Sequence, residues 1–255
     1  MALEIATIPC LDDNYAFLAH DTATGATALI DAPEAGPIMA FLDETGWLLS
    51  DVFLTHHHGD HVQGLADILA RFPARVTGAA ADVPRLPALD VTVKEGDRVE
   101  IGSVEGRVID VSGHTQGHIA FYFPDARAAF TADSLMALGC GRVFEGTMPQ
   151  MHDSLQKLAA LPEDTLIFSG HEYTAANGKF ALTIDPDNPD LISRVRSVDA
   201  ATAEGTPTVP STLAEELATN PFLRADDPAI QAHLGMEDAD PVDVFVEIRT
   251  RKNNF

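Results

Sequence analysis

Cysteine and basic residues are both scarce in this chain. Its 255 residues include two cysteines, Cys10 and Cys140, which form no CxxC pair. So few thiols exclude a disulfide-stapled scaffold and a thiolate zinc knuckle, and they are typical of a reducing compartment. Lys and Arg together number 16 against 39 Asp and Glu, a formal net charge of -23. This charge disfavours non-specific attraction to nucleic acid or to an anionic membrane.

Long apolar runs are absent as well. No segment approaches the ~18–20 apolar residues of a membrane span. The opening stretch MALEIATIPC has no basic region of the kind that begins a signal peptide. The hydrophobic fraction of 45% is ordinary for a globular protein with a real core. We therefore expect a cytoplasmic monomer without nucleic-acid or membrane partners.

Short apolar or β-branched runs, separated by turn residues, dominate the first two-thirds of the chain. They predict strands at 4–9, 15–20, 27–31, 51–55, 75–79, 90–93, 98–101, 106–111, 118–123, 128–132 and 165–169. Helical spacing predicts one helix at 37–46, another through Val62, Leu65, Leu69 and Phe72, and a third near 151–161.

Helix signals replace this pattern from about residue 174. Thr212 and Glu215 have the spacing of a capping box, and Asp240–Pro241 has the pattern of an N-cap followed by an N1 proline. The stretch 202–212, TAEGTPTVPST, is predicted to be an irregular linker. We expect a β-rich domain at 1–173 and a smaller helical domain at 174–255.

The stretch THHHGDH at 55–61 concentrates metal-binding side chains where a predicted strand meets a helix. Alternate residues of an extended segment point to the same side, so His56 and His58 can hold one ion while His57 faces away. Asp60 and His61 begin the helix and are directed toward a neighbouring point. The alternative is a polar loop whose histidines merely cap the helix.

Three more candidates lie at the ends of predicted strands: His114, Asp133 and His171. A strand-end His or Asp can be an ordinary hydrogen-bonding residue, but loops at strand ends also converge on functional sites. Together with THHHGDH, and with His57 set aside, the set contains five histidines and two aspartates. It provides three protein ligands for each of two ions, and Asp133 as a further ligand shared by both. We therefore favour a dinuclear metal site.

These residues resemble the metallo-β-lactamase superfamily, whose signature is THxHxDH followed by a distant His, Asp and His. More narrowly, the chain resembles the hydroxyacylglutathione hydrolases (the glyoxalase II family), through stretches that span its whole length. They are IPCLDDNYAFL, GHTQGH around His114, GCGRVFEGT at 139–147, GHEYT at 170–174, NPFLR at 220–224 and the terminal RTRKNNF.

The resemblance implies a four-layer αββα sandwich with a C-terminal helical domain that binds substrate. It assigns His56, His58 and His114 to one ion, Asp60, His61 and His171 to the other, and Asp133 to both, with Asp60 and Asp133 in the catalytic centre. Two divalent ions per chain are implied, zinc first, with iron or manganese as alternatives. The family commonly has Gly before the bridging aspartate, where this chain has Ala132.

The implied reaction is hydrolysis of S-(2-hydroxyacyl)glutathione, typically S-D-lactoylglutathione, to glutathione and D-lactate, in methylglyoxal detoxification. A metal-bridging hydroxide would attack the thioester carbonyl. Cys140 is interpreted as a packing residue rather than a nucleophile. Predicted substrate contacts are Arg142, Phe144, Tyr173, Arg249 and Lys252; Asp31 and His118 are expected to orient the histidine ligands.

Other functions stay open on the sequence. One alternative is a related sandwich oxygenase that acts on glutathione persulfide at a single iron. A lactonase or phosphodiesterase is compatible with the fold, because fold does not fix function. A metal-bound sensor or a glutathione-binding module is the alternative that is not an enzyme.

Overall fold

The computed structural model describes residues 2–255 and divides the chain into two compact units. The first comprises residues 2–110 and 116–131, and the second comprises Val111–Thr115 and Ala132–Phe255. The stretch 174–255, expected as a helical domain, forms the larger part of the second unit.

A six-stranded mixed sheet forms the frame of the first unit. Its strands are adjacent in chain order, antiparallel from the first to the third and parallel from the third to the sixth. Tight turns suffice for the antiparallel pairs, whereas parallel neighbours need crossover connections, which helices supply. The elements are β1 (Glu4–Cys10), β2 (Asn14–His20), β3 (Ala26–Ile30), α1 (Ala35–Thr45), β4 (Leu48–Phe53), α2 (Gly59–Val62), α3 (Leu65–Arg71), β5 (Arg75–Ala79) and β6 (Val91–Val93).

Helices α1 and α3 cover one face of this sheet. Apolar residues spaced by three or four on each helix are buried, Ile38 and Leu42 on α1 and Leu65 and Ile68 on α3. They join a single core cluster with inward-facing strand residues such as Leu18, Leu29 and Val52. The helices therefore fix the sheet from which the THHHGDH segment emerges.

A four-stranded antiparallel meander packs on the other face of the sheet. It is made of β7 (Arg98–Ile101), β8 (Val104–Asp110), β9 (Ile119–Phe123) and β10 (Ala128–Ala132). Aromatic rings fill the space between the sheets. The ring centroids of Phe53 and Phe121 are 5.0 Å apart in a stacked pair, and those of Phe17 and Phe130 are 5.8 Å apart. The first unit is thus a helix–sheet–sheet stack.

Helices predominate in the second unit. Its elements are β11 (Leu135–Met136), β12 (Gly139–Cys140), α4 (Met148–Ala159), β13 (Leu166–Ser169), α5 (Thr174–Ile184), α6 (Pro189–Ala203), β14 (Ser211–Thr212), α7 (Leu213–Thr219), α8 (Pro228–Leu234) and α9 (Pro241–Asn253). Both predicted caps are confirmed: Thr212 and Glu215 form a reciprocal capping box, and the Asp240 side chain accepts from Val242 N at the start of α9. No helix among residues 2–255 is both long and apolar enough to cross a bilayer.

Most predicted strands and helices are present, with ends shifted by a few residues. The helix predicted after the histidine segment is wrong as a single element, because α2 and α3 are separated at Gly64. The Gly64 amide donates to Ala32 O at 2.8 Å, outside the helix, so the helical hydrogen-bond pattern is interrupted there. The hairpin β11–β12 and the strand β14 are too short to give a sequence signal.

Candidate metal centre

In the first unit, the segment after β4 directs two imidazoles to one point. His56 Nε2 lies 3.2 Å from His58 Nδ1, whereas the ring of His57 turns away and its Nδ1 lies 3.0 Å from Asp82 Oδ2. This is the alternation expected of an extended backbone. Two ring nitrogens at this separation provide the start of a metal site.

A chain of hydrogen bonds fixes which nitrogen of His56 is available. The Thr55 hydroxyl donates to Asp31 Oδ2 at 2.8 Å and lies 3.0 Å from His56 Nδ1. Because the hydroxyl proton is directed to the carboxylate, Thr55 Oγ1 accepts from Nδ1–H of His56. The Nε2 lone pair of His56 is therefore directed to the same point as His58.

Asp31 holds His61 directly. His61 is fully buried, and its Nδ1 lies 2.8 Å from Asp31 Oδ2, while the other carboxylate oxygen accepts from Thr55 N at 2.8 Å. A carboxylate on Nδ1 fixes that proton and leaves Nε2 as the ligand atom. The ligand atoms of Asp31, His56 and His61 lie within 4.8 Å of one another. Asp31, which was expected to orient a ligand, thus has geometry suited to orienting two.

Asp60 lies in the first turn of α2, and its carboxylate is held by Asn14, which has no place among the predicted site residues. Asn14 Nδ2 lies 3.1 Å from both Asp60 Oδ2 and Asp60 O. The same carboxylate oxygen lies 3.8 Å from His61 Nε2. Asn14 lies in the IPCLDDNYAFL stretch, but a partner 46 positions away gives no local pattern.

His118 contacts the cluster through its ring face. It is fully buried and stacks on His56, with centroids 4.5 Å apart and planes 13° apart. Ring stacking restricts the tilt of the His56 ring. His118, like Asp31, was expected to orient a ligand, and it lies against the predicted ligand His56.

In the second unit, two histidines share one carboxylate. Asp133 Oδ2 lies 3.4 Å from His114 Nε2 and 3.3 Å from His171 Nε2, and all three side chains are almost fully buried. The Nδ1 of His114 donates to Arg142 O at 2.7 Å, which leaves its Nε2 lone pair facing the carboxylate. Neutral imidazoles around a buried carboxylate suit a divalent cation, so the donor set fits the implied metals.

Ala132, just before Asp133, has a backbone conformation that favours glycine. Its φ is +42°, in the left-handed region where a Cβ is disfavoured. A glycine, which the resemblance leads us to expect at this position, would adopt this φ without the Cβ penalty. Strain of this kind is typical of ligand-bearing loops, where surrounding contacts hold the backbone.

Exposed aromatic side chains lie beside the two histidines of the second unit. Phe144 is 61% exposed and meets His114 edge-on, with centroids 5.3 Å apart; the Arg142 guanidinium lies 5.8 Å from the Phe144 ring. Tyr173 lies parallel to His171, with centroids 4.7 Å apart. The structure thus brings three of the predicted substrate contacts next to predicted metal ligands.

The two predicted C-terminal contacts differ in burial. Arg249 is 4% exposed, and its Nη1 donates to Cys140 O at 2.8 Å. Lys252 is half-buried, with its amine 3.3 Å from Ala176 O and 5.1 Å from the Phe180 ring centre. Arg249 therefore already uses one donor on the main chain, and contact of either cation with substrate stays a prediction.

Cys140 has the surroundings of a packing residue. It is 5% exposed, and burial raises the pKa of its thiol, with the Arg249 charge opposing that effect. A neutral thiol is a poor nucleophile because the thiolate is the reactive form.

Comparison with known proteins identifies the superfamily to which this chain belongs. A family model described as the metallo-beta-lactamase superfamily matches residues 14–171, and one described as the hydroxyacylglutathione hydrolase C-terminus matches residues 172–255. The crystal structure of ETHE1 from Myxococcus xanthus aligns with a TM-score of 0.71 over 99% of this chain and 92% of that one, at 24% identity. The fold and the histidine–aspartate pattern are those of the metallo-β-lactamase superfamily, which confirms the predicted fold class.

Closer relatives narrow the assignment. A hydroxyacylglutathione hydrolase from Roseobacter denitrificans is 66% identical over 100% of both chains. One from Jannaschia sp. is 65% identical over 99% of this chain and 98% of the relative. The chain belongs to the hydroxyacylglutathione hydrolase family.

Proposed function

We propose that this protein hydrolyses S-(2-hydroxyacyl)glutathione thioesters, typically S-D-lactoylglutathione, to glutathione and the hydroxy acid. The observation that carries the proposal is the single Asp133 carboxylate oxygen facing the Nε2 atoms of His114 and His171 at 3.4 and 3.3 Å. Full-length relatives named hydroxyacylglutathione hydrolase support the substrate class.

We assign the metal ligands as the resemblance implies. His56, His58 and His114 would hold one ion, Asp60, His61 and His171 would hold the other, and Asp133 would serve both. Two bound divalent ions, zinc first and iron or manganese as alternatives, would lower the pKa of a water to about 7 and polarise the thioester carbonyl.

The protein groups have complementary roles. Asp31 and Thr55 keep the ligand nitrogens of His56 and His61 unprotonated, and Asn14 keeps the Asp60 carboxylate in place. The leaving thiolate needs no strong general acid, since its conjugate thiol has a pKa of ~8.5. The chain accordingly needs no serine or cysteine nucleophile.

We propose that the helical stretch 174–255 binds the glutathione moiety, together with Arg142, Phe144 and Tyr173. The flat rings of Phe144 and Tyr173 suit the tripeptide backbone. The protein's net charge of -23 repels an anionic substrate, and the cations Arg142, Arg249 and Lys252 would offset that repulsion locally. We place the protein in the cytoplasm as a monomer; the two free, buried thiols are in keeping with a reducing compartment.

The direct test is the loss of thioester absorbance when purified protein is mixed with S-D-lactoylglutathione. We expect rapid loss that a chelator abolishes. A metal-filled protein that leaves the absorbance unchanged would contradict the proposed reaction.

Replacing Asp31 by Asn is expected to weaken metal binding and lower kcat by roughly 10–100-fold. The amide keeps one acceptor oxygen and places an NH₂ group against the remaining donors, whereas the carboxylate accepts from Thr55 N on one oxygen and from Thr55 Oγ1 and His61 Nδ1 on the other. Metal content and kcat measure the effect. Asp51→Asn is the control, because Asp51 is buried and bonded to Arg75 away from these histidines. Equal behaviour of the two variants would remove Asp31 from this role.

Lys252 gives the binding step an expected pH dependence. Burial, and then the Arg249 charge, lower the pKa of its ammonium to about 8. The amine therefore loses its charge as the pH rises above that value, and KM should rise while kcat is retained. Lys252→Met should raise KM about tenfold at pH 7, as loss of a charged hydrogen bond predicts, and flatten the pH dependence.

Arg251→Met is the matched control for this substitution, because Arg251 is exposed and bonds Glu247 on its own helix. A Lys252→Met protein that kept both the wild-type KM and its rise above pH 8 would show that this amine does not contact the substrate.

A further inference from the structure

The smallest sheet of the second unit is the hairpin β11–β12. Leu135 pairs with Cys140 and Met136 with Gly139, and the turn residue Leu138 has a φ of +56°. All six residues, 135–140, are buried. A two-stranded ribbon this short is not stable alone, so its buried backbone groups need partners from elsewhere.

Side chains of three C-terminal helices supply those partners. Leu138 N donates to Glu216 Oε2 at 2.9 Å, and Asn177 Nδ2 donates to Ala137 O at 3.0 Å. The other bonds run from Asn220 Nδ2 to Met136 O at 3.1 Å and to Gly139 O at 3.0 Å, and from Arg249 to Cys140 O. The helices thus satisfy hairpin carbonyls and a turn amide at the same time.

Glu216 is the centre of this arrangement. It is fully buried on α7, and its carboxylate forms an ion pair with Arg194 and accepts from Ser211 Oγ at 2.6 Å and Asn220 Nδ2 at 3.0 Å. A buried carboxylate is costly unless it is paired and hydrogen-bonded. Its fully bonded environment therefore fixes the position of Leu138 N and hence of the turn.

The two ends of the hairpin lead directly to the metal-ligand residues of this unit. Asp133 lies two residues before β11, and Arg142, whose carbonyl accepts from His114 Nδ1 at 2.7 Å, lies two residues after β12. Between them, Gly141 N donates to Ser134 O at 3.0 Å, and a Cβ at Gly141 would lie 1.9 Å from Asp133 O. A shift of the hairpin would therefore move Asp133 and the carbonyl that orients His114.

We propose that Glu216 and Asn220 are positioning residues, which hold the hairpin β11–β12 so that Asp133 and His114 keep the geometry of metal ligands. The inference rests on the metal centre proposed above. It gives the C-terminal helices a task in building the metal site besides their proposed contact with glutathione.

Glu216→Gln is the first test, because it keeps the shape of the side chain and places an NH₂ group either against Leu138 N–H and Asn220 or against Arg194 and Ser211. Asn220→Ala keeps the carboxylate and its ion pair and removes the amide donors, so it serves if Glu216→Gln does not fold. Each variant is loaded with Co²⁺, and the visible spectrum, Co²⁺ affinity, kcat and KM are measured. We expect an altered spectrum, with Co²⁺ affinity and kcat lowered by roughly 10–100-fold and KM retained.

Asn188→Ala is the matched control. Asn188 caps α6 and donates to Ala218 O. Replacing it therefore weakens the same unit, but removes no bond to the hairpin. It should lower Tm and leave the Co²⁺ spectrum unchanged. A folded Glu216→Gln or Asn220→Ala protein with the wild-type spectrum and kcat would overturn the proposal. Wild-type protein that binds Co²⁺ but does not hydrolyse the thioester would overturn only the proposed function.

Discussion

Replacing Asp133 by Ala is expected to abolish turnover while leaving the fold intact. Asp133 Oδ2 faces both His114 Nε2 and His171 Nε2, so one substitution removes a carboxylate that lies against both imidazoles. The loss in kcat should exceed the roughly 10–100-fold typical of residues that act only through a ligand. Steady-state kinetics and metal content per chain measure it.

The isosteric variant Asp133→Asn separates charge from shape. The substitution keeps the volume of a side chain that is 6% exposed. Any fall in kcat or metal content beyond that of the control variant therefore reflects the missing charge. Asp51→Asn is again the control, since Asp51 is equally buried but bonds Arg75. Retention of both activity and full metal content in Asp133→Ala would contradict its assignment as the shared ligand.

Local pattern predicts much of the geometry around the histidine segment. His56 and His58 were predicted to face one way and His57 the other, because strand alternation needs only neighbouring residues. Asp31 ends the predicted strand 27–31, and its Oδ2 lies 2.8 Å from His61 Nδ1. Each of these residues is marked by the pattern of the few residues around it, although the bond itself joins Asp31 and His61 across 30 positions.

What the sequence did not predict depends on contacts between distant segments. Asn14 bonds Asp60 across 46 positions, and Glu216 bonds Leu138 across 78. Neither residue lies in a pattern that distinguishes it from a turn or helix-surface residue. Arg249 shows the same limit: its charge suggested an accessible clamp, but it lies 5.3 Å from the Phe222 ring centre and bonds Cys140 O.

Removal of metal is expected to abolish activity completely, and stepwise reconstitution should restore it only as the second ion binds. The proposal has seven ligand side chains with Asp133 serving both ions, and such a site should work only when both ions are bound. The experiment strips the protein with a chelator, titrates Zn²⁺ back, and follows thioester hydrolysis against ions bound per chain. Fe²⁺ and Mn²⁺ titrations under the same conditions compare the alternative metals.

The stoichiometry also decides between the two enzyme classes that the sequence left open. A hydrolase that needs two ions to lower the pKa of a shared water should show little activity at one ion per chain. An oxygenase of the related kind should reach full activity with one iron, consume oxygen with glutathione persulfide, and leave the thioester intact. Full thioester hydrolysis at one ion per chain would keep the reaction but remove the shared role of Asp133, since a bridging ligand has no function without a second ion.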